Sequence, residues 1–189
     1  MELIRVLQRG LSLQTKDGSL PDLDNVCGSL ASHFAVSKDG ELSFYQTNDA
    51  ESPAPDKIAL GVMLAKLARG KFRLDDVETC LVDSADVLAT GVHGHRDKGG
   101  ETLLRDVNEA HWCVGGVTLR RLNELVFAIL TPEPREIFVS KARLAFALDA
   151  AVEAGELDVS QLTPETRADF DQVRGTKPYK RLQRERQAG

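Results

Sequence analysis

Aromatic residues make up only 5% of the 189-residue chain, and no apolar run approaches a membrane span. The longest, Leu125-Val126-Phe127-Ala128-Ile129-Leu130, is six residues where a spanning helix needs about 20. The amino end, Met1-Glu2-Leu3-Ile4-Arg5, lacks the basic-then-apolar order of a secretion signal. There are three cysteines, Cys27, Cys80 and Cys113, far apart and without a CxxC pair. That is no disulfide framework, and it fits a reducing compartment. These absences predict a cytoplasmic protein without membrane contact. With few rings to fill a core, Leu, Val and Ala must do it, which favours closely packed helices.

What is present is a 42% apolar composition, enough for a buried core, and an uneven charge. The total is −5. From Arg174 onward there are six basic residues and one acid, a net of +5, leaving 18 basic and 28 acidic residues, or −10, in the rest. The sequence therefore reads as an acidic body, residues 1–174, with a soft boundary at 48–55, followed by a basic tail over 175–189.

Periodicity predicts a mainly helical α+β domain. Leu23, Val26, Cys27, Leu30 and Phe34 form an amphipathic stripe. Asp56 to Arg69 reads as a helix with Ile58, Val62, Ala65 and Leu67 inward and Gly70 as its stop. Asp75 to Ala89 reads as another, on a stripe of Val77, Cys80, Leu81, Ala85 and Leu88, against a strand at Thr79 to Val82. Thr131-Pro132-Glu133 starts a helix running to about Ala154, and Thr163-Pro164-Glu165 one ending near Arg174. Lys38-Asp39-Gly40-Glu41, between alternating runs, predicts a β-hairpin near Phe34–Thr47. One or two further short strands complete the expectation, with His111 to Val117, HWCVGGV, as a candidate.

Chemistry concentrates in Thr90 to Gly100, TGVHGHRDKGG. In extended backbone, His93, His95 and Asp97 share a face, as do His111 and Cys113. Folded together, His93, His95, His111 and Cys113 offer a tetrahedral zinc set, and Asp97 in place of one of them leaves a position open for a water to be activated. The stretch His93-Gly94-His95-Arg96-Asp97-Lys98-Gly99-Gly100 locally resembles the metal-binding loop of the metallo-β-lactamase superfamily, His-x-His-x-Asp-His. Lys98 replaces the last histidine, and only His111 follows His95, so membership is not inferred. Glycines with Arg96 and Lys98 also suit a phosphate, without the Gly-Lys-Ser/Thr entry of a phosphate-binding helix. No nucleophile elbow or dinucleotide fingerprint occurs.

The second candidate is basic. Lys177, Tyr179, Lys180, Arg181, Arg184 and Arg186, with Arg120 and Arg121, suit a protein or nucleic-acid partner or another copy of the chain. The functional expectation is a non-catalytic accessory, regulatory or interaction protein with no cofactor. The alternative is a zinc-dependent hydrolase or zinc-stabilised protein built on the five candidate ligands.

Overall fold

A computed structural model describes residues 1–7, 41–47, 52–68, 74–97, 102–118, 121–122, 124–126 and 135–188. Its centre is a six-stranded antiparallel sheet: β1 (Glu2–Leu7), β2 (Leu42–Gln46), β3 (Val77–Asp83), β4 (His93–Arg96), β5 (His111–Gly115) and β6 (Arg135–Val139). The spatial order is β4-β5-β2-β1-β3-β6. This corrects the expected hairpin with one or two extra strands. The hairpin's first half and the stripe from Leu23 to Phe34 lie outside the described residues. Its second half is β2, which pairs with β1 and β5.

Strand β3 escaped the periodicity because the sheet is covered on both faces. A strand buried on both sides carries contiguous apolar residues and loses its alternation. In β3, Val77 and Leu81 pack on one side, Cys80 and Val82 on the other. That run also satisfies helical spacing, so the helix predicted over Asp75 to Ala89 is in fact β3 followed by the short helix α2 (Ser84–Ala89), capped by the Asp83 side chain.

The first face is covered by α1 (Pro55–Ala68), α4 (Lys141–Glu153), α5 (Pro164–Arg174) and α6 (Lys177–Ala188). Helix α1 buries Ile58, Ala59, Leu60, Gly61, Met63, Leu64 and Leu67. It is apolar almost all round because it lies between the sheet and other helices. At Gly61 the short helix α3 (Arg105–Glu109) comes so close that an added Cβ would lie 3.1 Å from Val107 Cγ1. The helix expected to start at Pro132 is overtaken by β6. Ser140 then caps α4, its Oγ accepting from the Arg143 N–H. Helix α5 starts at Pro164, with Thr163 as cap. A 3-10 turn, Val159–Gln161, joins α4 to α5.

The second face is covered by Val87, Val92, Leu122, Leu125 and Val126. Residues 121–122 and 124–126 are helical. No described helix is long and apolar enough to cross a membrane.

Candidate functional site: a thiol between two carboxylate–imidazole pairs

The middle of TGVHGHRDKGG is edge strand β4, paired to β5 with His95 opposite Cys113 and His93 opposite Gly115. On its other side β5 pairs with β2, Ser43 opposite Cys113 and Tyr45 opposite His111. Alternation puts all these side chains on one face. The register gives three rows across three strands: Tyr45, His111 and Asp97; Ser43, Cys113 and His95; Glu41, Gly115 and His93. The backbone N–H of Asp97 continues the ladder by donating to the His111 carbonyl at 3.2 Å. Cys113 is at the centre.

On the opposite face Gly94 lies against the Trp112 ring, where an added Cβ would fall 1.8 Å from Cζ2. Arg96, opposite Trp112 in the register, donates to Gln46 Oε1 at 2.7 Å. Trp112 meets Phe44 edge-on at 6.4 Å between centroids. These contacts anchor the short edge strand from behind.

The Cys113 thiol donates to Asp97 Oδ2 at 3.7 Å and faces His111 Nε2 at 3.8 Å. Nδ1 of His111 lies 3.1 Å from the Asp97 carbonyl oxygen. A carbonyl only accepts, so this nitrogen carries the proton, and Nε2 is the ring atom that faces sulfur. Metal-ligating histidines are commonly oriented this way. His95 Nε2 is 3.9 Å from Glu41 Oε1. Ligand atoms from Glu41, His95 and Cys113 lie within 4.8 Å of one another, and so do those from Asp97, His111 and Cys113. Cys113 is 3% exposed and His111 7%. The side chains of His95 and Asp97 are 52% and 42% exposed, so the outer members of both groups reach solvent.

Burial, then the carboxylates of Glu41 and Asp97, push the Cys113 thiol up to about 12. Two acids around a protonated thiol form an electronegative pocket. A divalent cation there reverses the balance and favours the thiolate.

Four of the five ligands expected from the sequence meet: His95, Asp97, His111 and Cys113. His93 does not join these groups. Its ring lies over the glycines after it in space, Nε2 being 3.0 Å from a Cβ placed at Gly115. Glu41 joins the group of His95 and Cys113. In the sequence it ends the turn Lys38-Asp39-Gly40-Glu41; its alternation with Ser43 and Tyr45 signals a shared face, and the pairing of β2 with β5 supplies its neighbours.

The basic candidates scatter. Arg120 is outside the described residues. Arg121 donates to the Gly116 carbonyl at 3.2 Å. The basic tail forms α6, packed on α4. Tyr179 is buried, and its hydroxyl donates to Asp149. Arg186 pairs with Glu153 at 2.9 Å and lies over Phe146. Lys177, Lys180, Arg181 and Arg184 are exposed.

No family model matches the chain, no curated protein matches it, and no solved structure matches it.

Proposed function

We propose that the protein binds a zinc-class divalent metal where β2, β5 and β4 meet, using Cys113 with His95, His111, Asp97 and Glu41. The observation that carries this reading is the register that sets His95 across from Cys113, which joins two sequence segments at ligand spacing. Zinc–ligand bonds of ~2.0–2.3 Å put tetrahedral neighbours roughly 3.3–3.8 Å apart. The distances of 3.7 to 3.9 Å among these ligand atoms need only small rotations to reach that spacing. Thiolate and imidazole select zinc-class ions over magnesium or calcium. The role this supports is that of an accessory protein whose ion ties the edge strand to the sheet.

The test is elemental analysis of protein purified without chelator, followed by zinc titration against a competing chelator. Retained zinc is expected in the parent protein, and its loss in a His95→Ala/His111→Ala double variant. Metal-free protein whose melting temperature ignores added zinc refutes the reading.

A second reading, partner contact through α6, is favoured by the placement of Lys177, Lys180, Arg181 and Arg184. They follow i, i+3, i+4, i+7 spacing, one stripe on the side away from buried Tyr179. Replacing Lys180 and Arg184 by Gln leaves the packed face intact. It should weaken capture of an anionic partner and flatten the salt dependence of binding. Unchanged capture excludes this face.

A further inference from the structure

We infer that the site takes two zinc-class ions bridged by the Cys113 thiolate, one completed by Glu41 and His95 and the other by Asp97 and His111. The inference rests on the metal-binding reading above and specifies its stoichiometry.

The register gives the reason. Cys113 holds the middle position of the middle strand, and the two groups share no other residue. Asp97 and His111 are cross-strand neighbours on one side of it. Glu41 and His95 approach each other on the other side, diagonally across β5, where Gly115 has no side chain to intervene. A Cβ at Gly115 would stand 3.8 Å from Glu41 Oε1, so the glycine opens the space into which that carboxylate reaches. Each group has the same make-up: one carboxylate, one imidazole and the shared sulfur.

A single ion would use one group and leave the other carboxylate beside the same sulfur. Two ions use every ligand. A thiolate has lone pairs for two metals, and bonds of ~2.3 Å from one sulfur place the ions at a separation compatible with the roughly 3.5–4 Å of two-metal centres. Two carboxylates and one thiolate carry three negative charges against four positive ones. The remaining charge and the unfilled coordination positions fall on the solvent side, where water, hydroxide or a small anion completes each ion. Binding releases the Cys113 proton to solvent, and no electron moves.

The experiment is titration of full-length protein with zinc, and separately with cobalt(II), against a competing chelator. Each stoichiometry is read per chain, and folding of each variant is checked by circular dichroism. Two ions per parent chain are expected, with one in Glu41→Gln and one in Asp97→Asn. Two cobalt ions sharing a thiolate are expected to be magnetically coupled, with a reduced electron paramagnetic resonance signal compared with the two singly loaded variants added together. One ion per parent chain overturns the inference and leaves the metal-binding reading standing. Two uncoupled ions that both persist in Cys113→Ser overturn the bridge. No ion at all removes both readings.

Discussion

Gly94 and Trp112 show how one small residue sets the candidate site. The indole lies on the backbone of β4, so the strand is held from the face opposite its ligands. Any side chain at position 94 must displace the ring or the strand, given a built Cβ only 1.8 Å from Cζ2. Overpacking of a tight contact costs about 1–3 kcal/mol, and both escapes disturb β4. Gly94→Ala should therefore lower the urea midpoint by an amount in that range and weaken zinc binding, although position 94 supplies no ligand. A variant with parent stability and parent affinity would show that β4 is not held by this contact. The glycine was visible in the sequence as the spacer in His-x-His, but its partner eighteen positions on was not. Glu41 is the same lesson from the other side. Its type is common in an acidic chain, and only pairing of β2 with β5 gives it a role.

At the scale of elements, the carboxy-terminal segment departs from the image of a tail. Asp149 on α4 accepts from Arg174 Nε at 3.0 Å and from the Tyr179 hydroxyl, and Gln183 Nε2 donates back to that hydroxyl at 3.2 Å. Three helices thus meet at one carboxylate. Asp149→Ala strips a hydrogen-bond acceptor from two part-buried donors and should cost about 1–3 kcal/mol in chemical denaturation. A change within error would mean that water replaces the carboxylate. The same junction sets an alkaline limit. Burial, then the Asp149 hydrogen bond, raises Tyr179, and the Asp149 hydrogen bond is the main cause raising Arg174. A raised folded-state value means that the native protein holds the proton more tightly. The associated stability is complete below the unfolded tyrosine value of about 10 and is lost as the pH climbs through the folded one. Unfolding midpoints measured from pH 8 upward should therefore fall above pH 10. The fall should be smaller in Tyr179→Phe, which has no proton to lose there. The segment's composition announced its charge. Its single aromatic, Tyr179, marks the inward face together with Leu182, because a ring on a mostly polar helix has its lowest free energy against a core.

For the whole molecule, legibility followed the number of buried faces. Helices α5 and α1 were readable in place, one from Thr163-Pro164-Glu165 and the other from an apolar run bounded by Pro55 and Gly70. The sheet was readable only in pieces: β5 showed as a short apolar strand, whereas β3, buried on both sides, also satisfied helical spacing. The spacing of the histidines was readable, whereas their meeting with Cys113 depends on strand order, which no local pattern encodes. That order places the candidate site at one edge of the sheet, while α4, α5 and α6 pack together over the first face. An ion bound by β2, β5 and β4 should then act locally. Ligand binding to the native state stabilises by about 2.7 kcal/mol at a free concentration one hundred times the dissociation constant. Protection gained in this way appears first where opening is subglobal, and a four-residue edge strand with a solvent-facing outer side is such a place. Hydrogen exchange with and without zinc should therefore slow at the amides of β4, Asp97 and β5, with little change in α4 to α6 below the global unfolding limit. Uniform slowing over all elements would show that the ion stabilises only by mass action on global unfolding. Slowing confined to α4 and α6 would place the ion elsewhere.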